Sequence, residues 1–369
     1  MSLRGPLVAG LVVLLVACAS ERPKPTPLEP VEARIAGRQV WRARVDSVQF
    51  PLAMVARDGQ FVVAGTDGTV LALDAADGSE RWRGNVGTRL SAGVGSDGRF
   101  AAVVTRGNEL VVLDRGAERW RKRLNSLTTT APLVAGERVF VMGVDRAVLA
   151  FDAMDGRALW RFSRPSEALT LAQPGALAAW RDTLLAGQGH VLTALDPLRG
   201  SVRWDVPLAN PRGTNEVERL ADLVGPVVRA GDVICARAFQ SAVGCVNASS
   251  STLRWSRNVG GVNAVGGDAD LLVGADASDR VTAWKTPSGE IAWTNEKYLY
   301  RSLSGPLAIG PAVLFGDIEG EIHVLARDSG QALLRMPTDG TPVVAQPVIT
   351  GGTVLVATKG GGLFAFRLE

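Results

Sequence analysis

Tryptophan returns along this chain at a nearly fixed interval: Trp41, Trp82, Trp120, Trp160, Trp204, Trp255 and Trp293, with Leu334 in the eighth place. Four residues ahead of these markers stand Gly37, Gly78, Gly116, Gly156, Gly200, Gly289 and Gly330, and only Ser251 departs from the rule. A unit of about 42 residues written eight times restricts the chain to repeat architectures. Inside the unit, 61–82 reads FVVAGTDGTVLALDAADGSERW. It holds an apolar run, a turn at Asp67-Gly68, an alternating run, a second turn at Asp77-Gly78, and then the tryptophan segment. Asp-Gly between alternating apolar runs signals a β-hairpin. Residues 139–160 repeat the pattern almost position for position. A further apolar run precedes most units, opened by Pro51, Pro132, Pro174, Pro226, Pro306 or Pro347, and proline is tolerated at a strand's first residue. Four short strands per unit, without a helical period, predict an all-β, eight-bladed propeller of four-stranded antiparallel blades.

The two ends of the repeat array complement each other. Gly37-Arg38-Gln39-Val40-Trp41 is a tryptophan strand with no blade before it, and 353–369 is a blade that stops before its tryptophan strand. The N-terminal strand is therefore expected to join the C-terminal blade and close the ring, which leaves no open stack of sheets. The fixed offset of the tryptophans assigns them to packing between blades.

Ahead of the propeller (36–369) two other segments are expected. Residues 1–17 carry one early charge, Arg4, and then an apolar stretch, 5–17. As a helix that stretch spans about 20 Å, short of the roughly 30 Å hydrocarbon core, so it reads as a secretory signal. Leu15-Val16-Ala17-Cys18 resembles the lipobox of bacterial lipoproteins. That resemblance implies cleavage before Cys18, acylation of Cys18, and, with Ala19 following, delivery to the periplasmic face of the outer membrane. Residues 18–35 contain Pro23, Pro25, Pro27 and Pro30 and are expected to form a semi-rigid polyproline tether.

Composition removes other classes. Lys and Arg total 40 against 37 Asp and Glu, a net charge of +3 with no basic face or tail, so no nucleic-acid partner is expected. Two histidines, His190 and His323, fall in separate blades away from any ligand-spaced Cys or Asp, so no metal or other cofactor is expected. Asp74, Asp114, Asp152 and Asp196 occupy equivalent places in successive units. They are spread around a ring instead of converging, and read as turn caps. No catalytic residue emerges. Arg119–Arg123, on an outer strand, reads as charge that protects a sheet edge. Cys235 and Cys245 lie on the two strands of one hairpin. If they face each other they can be joined in an oxidising compartment, but the sequence leaves the hairpin register open.

The repeat is broken most in two adjacent steps, which contain PSEALTLAQPG (165–175) and NPRGTNEVERLADLVGP (210–226). Loops of that length in a compact ring are usually functional. Leu169, Leu171, Leu220 and Leu223 read as apolar anchors in a polar rim, the composition of a protein-binding patch.

The lipobox, the proline segment, eight x-Asp-x-x-x-Gly-x-x-x-Trp units and NEVERLADL together resemble the BamB family, lipoprotein propellers of the outer-membrane β-barrel assembly machinery. The resemblance covers the whole chain. It implies a non-enzymatic scaffold that binds the POTRA domains of BamA, works with other subunits of the machinery and assists unfolded outer-membrane clients. The family's BamA-binding Leu-Thr-Leu-Arg and Asp-x-Asp stretches correspond here to Leu169-Thr170-Leu171-Ala172 and Asp222-Leu223-Val224. Ala172 stands where the arginine is expected, and Val224 stands for the second aspartate. The alternative is a quinoprotein dehydrogenase with pyrroloquinoline quinone and Ca²⁺ at the ring axis. Those enzymes have adjacent cysteines and an acidic cluster, which this sequence lacks.

Overall fold

A computed structural model describes residues 23–164, 171, 173–211, 214, 215, 217 and 220–369. Its strands form eight four-stranded antiparallel sheets. Seven are built from consecutive strands, within residues 55–85, 95–123, 133–162, 177–207, 223–257, 266–295 and 307–337, called blades 1 to 7. Blade 8 closes the ring as the sequence predicts. Its three C-terminal strands are joined by Gly37–Arg44, which pairs antiparallel with Gly362–Leu368, Gly37 opposite Leu368 and Arg44 opposite Gly362.

Alternation explains the sheets and burial explains the ring. The two middle strands of blade 1, Gln60–Ala64 and Thr69–Asp74, are apolar on both faces and buried almost throughout, because each blade is covered by a neighbour on either side. The outer strand Glu80–Asn85 is mostly exposed, with Trp82 half-buried and Gly84 buried. The core is thus a series of interblade layers. Phe61, Val63 and Leu71 of blade 1, for example, pack with Leu355, Leu363 and Ala365 of blade 8.

The Gly-x-x-x-Trp rhythm is a contact between blades: Gly78, Gly156, Gly200, Gly289 and Gly330 each lie under the tryptophan of the preceding blade, whereas Gly116 lies against the Arg83 backbone. A β-carbon on Gly78 would lie 2.6 Å from Trp41, and one on Gly200 would lie 2.5 Å from Trp160. Both glycines have φ near +70°, which L side chains rarely adopt. The indole N–H groups of Trp41, Trp120, Trp160, Trp255 and Trp293 donate to carbonyls of the next blade, Ala75, Ala153, Pro197, Thr286 and Arg327, at 2.7–3.0 Å. Trp82 and Trp204 are half-buried in the same packing. Each outer strand carries a bulge beside its tryptophan position, as between Ala72 and Leu73 opposite Trp82. A bulge and charges are what blunt a sheet edge against pairing with another chain. Arg121 of the basic run fits this role, bonded to Glu118, Glu109 and the Val86 carbonyl.

Two expectations change. The segment expected as a tether is docked on the ring over 26–35. Thr26 N–H donates to Leu299 and Arg34 N–H to Leu333, Leu28 packs into the blade 6–blade 7 core, and Lys297 pairs with Glu29 at 2.6 Å. Pro226 does not open its strand. It lies inside Leu223–Ala230, at the irregularity between Val224 and Val228 where a missing donor breaks no ladder bond.

Candidate functional site

Three of the four repeating carboxylates cap turns, and the fourth, Asp114, is held by Arg99 at 2.7 Å. Asp74 accepts Ala76 N–H, Asp152 accepts Met154 N–H and Asp196 accepts Leu198 N–H, each at 2.8 Å. Their other oxygens face arginines, Arg81 on Asp74 and Arg203 on Asp196, and those bonds hold both carboxyls below their ordinary range. These groups stand on separate blades and cannot act on one substrate atom.

Among the described residues no three His, Cys, Asp or Glu side chains are grouped to hold a metal ion. His323 belongs to a buried cluster. It lies 2.9 Å from Asp317, whose same carboxylate oxygen also accepts Arg301 Nε at 2.7 Å. Burial pushes the His323 pKa down in spite of the Asp317 bond, with Arg335 and Arg301 adding repulsion. Burial alone would raise Asp317, but the bonds from His323 and Arg301 win and lower it. Arg301 reaches on to Glu319 and to the Thr26 carbonyl. The cluster therefore fixes the N-terminal segment to blade 7. At the ring axis the innermost strands enclose a space of about 630 Å³ whose lining includes Pro51, Met54, Pro174, Leu177, Pro226 and Ile349. The polar groups there are amides and hydroxyls, among them Gln173, Asn263, Gln346 and Thr130. Carboxylates suited to Ca²⁺ are missing from that lining.

The two long interblade loops meet on one face of the ring. Asp222 ends the second loop, and its Oδ2 accepts Leu171 N–H from the first loop at 3.2 Å. Its Oδ1 accepts Arg146 through Nε at 2.9 Å and Nη2 at 2.7 Å. Arg146 sits at the hairpin tip of blade 3, with φ +59°, and its carbonyl accepts Gln188 of blade 4 at 2.9 Å. Nearby, Gly175 donates to Thr130 Oγ1 at 2.8 Å and Gly225 donates to the Pro174 carbonyl at 3.1 Å. The first loop is thereby stitched between blades 3 and 5.

Of the expected anchors, Leu171 and Asp222 are brought together. Leu220 is half-buried in a separate groove of about 710 Å³ between blades 4 and 5, beside Val217, Phe239 and Leu253. Leu223 is not a surface anchor. It is the first residue of Leu223–Ala230 and 1% exposed, packed with Ala176, Leu185 and Ala238, because the strand begins one turn earlier than the loop composition suggests. Val224 is buried beside it. Leu169, Ala172 and Cys18 lie outside the described residues. Arg146 was missed in the sequence, where 76 residues separate it from Asp222 and no repeat position marks it. Cys235 and Cys245 pair directly across the ladder with Cα atoms 4.1 Å apart, and their sulfurs are joined.

The class is thus an eight-bladed propeller whose repeats are locked by Gly–Trp contacts and whose irregular loops gather on one face. A family model described as outer membrane protein assembly factor BamB matches residues 33–88 and 66–295. The chain is 35% identical over 366 residues to outer membrane protein assembly factor BamB of Burkholderia pseudomallei, covering 97% of this chain and 96% of that one. It is 31% identical to the protein of the same description in Bordetella pertussis, covering 99% and 97%. The crystal structure of BamB from Moraxella catarrhalis superposes with a TM-score of 0.81 at 23% identity, over 90% of this chain and 100% of that one. The chain belongs to the BamB family of outer membrane protein assembly factors. Quinohemoprotein alcohol dehydrogenase from Comamonas testosteroni superposes with a TM-score of 0.67 at 16% identity, over 89% and 76%, a likeness of fold alone.

Proposed function

We propose that this protein is a non-enzymatic scaffold of the outer-membrane β-barrel assembly machinery, held by a lipid on Cys18 at the periplasmic face and docking the POTRA domains of BamA. Family membership supports the assembly role. The observation that carries the docking site is the meeting of Leu171 and Asp222, from two separate long loops, on one face of a closed ring. A rigid ring loses little conformational freedom on binding, so loops fixed to it present a preformed surface. Leu171, half-buried at the loop edge, supplies apolar contact there.

The test is affinity co-purification from detergent-solubilised outer membranes. Leu171→Asp is expected to reduce BamA recovery while the thermal unfolding of the ring stays in place. Undiminished recovery would reject this face. Cys18→Ala is expected to release the protein from the membrane fraction. The dehydrogenase alternative is checked by adding quinone and calcium and following dye-linked alcohol oxidation, where turnover would overturn the scaffold reading.

A further inference from the structure

We propose that Arg146 is the positioning residue of the docking face, setting the relative placement of the two long loops through Asp222. This deepens the docking reading above and rests on it. Most other ion pairs of the ring bridge nearby residues of one blade, as Arg81–Asp74, Arg83–Glu80 and Arg99–Asp114 do, and leave the arginine 40–52% exposed. Arg146–Asp222 differs on both counts. It runs from the blade 3 hairpin to the loop entering blade 5, and the two side chains are only 15% and 16% exposed.

The chemistry gives this pair leverage. The two guanidinium bonds to Asp222 fall on one carboxylate oxygen, Oδ1, which leaves Oδ2 for the Leu171 N–H. A carboxylate fixed from one side by a two-nitrogen donor has its other oxygen aimed, and a charge-assisted bond to backbone N–H is stronger than a neutral one. Arg146 is itself held by the turn Gly143–Ala147. Its own N–H bonds Gly143, Asp145 caps Ala147, and Gln188 of blade 4 holds its carbonyl. The order of control runs from the blade 3 turn through Arg146 and Asp222 to Leu171. The paired charges of Arg146 and Asp222 also cancel each other.

The experiment is a double-mutant cycle on full-length, detergent-solubilised protein, with binding to the purified periplasmic domains of BamA measured by titration. Arg146→Ala and Asp222→Asn are each expected to weaken binding by about tenfold, and the double variant by no more than either alone, because both remove one coupled device. Arg146→Lys, with a single donor point in place of the fork, is expected to recover part of the loss. Wild-type affinity in Arg146→Ala would overturn the proposal, as would losses that simply add in the double variant. Leu171→Asp separates the two readings. If it binds normally the face itself is wrong, whereas if it weakens binding and Arg146→Ala does not, only the positioning role falls. Each titration is run well below the melting transition of the variant used, so a loss that vanishes once every variant is fully folded would overturn the proposal.

Discussion

Gly37 lies against Leu334, the residue in the eighth tryptophan place, so closely that a β-carbon on Gly37 would collide with the leucine side chain. The contact that Gly78 makes with Trp41, and Gly200 with Trp160, is thus repeated at the seam, with the smaller leucine in place of an indole. The N-terminal strand belongs to the packing rhythm as well as to the hydrogen-bond ladder of blade 8.

Deleting 36–45 should therefore act at a distance in sequence. It removes the outer strand of blade 8 and exposes the edge of Gly362–Leu368, and it uncovers the blade 7 contact at Leu334. Hydrogen exchange of Thr353–Ala357 should speed up strongly and the thermal transition should move down or split. Unchanged exchange in Thr353–Ala357 would mean that closure contributes nothing to the ring.

The glycines under tryptophan can be tested against a glycine that has only its backbone to satisfy. Gly200 and Gly87 both have positive φ, but a β-carbon on Gly200 meets the Trp160 ring while one on Gly87 meets nothing within 4 Å. Gly87→Ala should cost about 1 kcal/mol from backbone conformation. Gly200→Ala adds displacement of a packed ring and should cost about 2–4 kcal/mol. Urea unfolding of the two variants checks this, and equal losses would remove the tryptophan contact as a source of stability.

The sequence carries the fold so well because repetition shows each packing contact eight times over. Trp41, Trp82 and their successors mark the period, and the paired ends mark the seam. What repetition does not encode was not legible. The prolines of 18–35 look the same whether the segment hangs free or lies on the ring, and what pins it, Leu299, Arg301 and Leu333, lies some 270 residues or more further along. Leu223 reads as a loop residue because its neighbours Ala221 and Asp222 are outside the strand, and only its packing with blade 4 residues buries it. Arg146 has no motif at all. Its role comes from the fold, which brings it to Asp222 across the rest of blade 3, all of blade 4 and both long loops.

The buried cluster on blade 7 makes stability depend on pH in a definite direction. His323 is held below its ordinary 6.5, first by burial, so the unfolded chain binds this proton more readily than the folded one. Its contribution is complete above pH 6.5 and is lost as pH falls from there through the folded value. Asp317 is also lowered, because the His323 and Arg301 bonds outweigh burial, so its share is present above its ordinary 3.8 and disappears as pH falls through its own folded value. Melting temperature should decline from pH 7 downward, and more steeply as the carboxylate begins to titrate. His323→Gln keeps a donor for Asp317 and removes the upper part of the decline. Parallel wild-type and variant curves between pH 7 and pH 5 would contradict this assignment.

The fourth test concerns Cys235 and Cys245, which face each other in blade 5 and are both fully buried, with Trp255 opposite Cys245 in the next strand. A Cα separation of 4.1 Å is that of a non-hydrogen-bonded antiparallel pair, where side chains approach most closely. In the periplasmic location proposed above the compartment is oxidising, so the bond is expected to persist. It closes a loop whose ends are ten residues apart, which by the chain-entropy argument stabilises the ring by about 2–3 kcal/mol. Intact mass under non-reducing conditions should be two hydrogens below that of the reduced chain. Denaturant unfolding in strong reductant should shift to a lower midpoint, and Cys235→Ala should show the shift without reductant. Two alkylatable thiols at these positions in protein purified from outer membranes without reductant would exclude the bond.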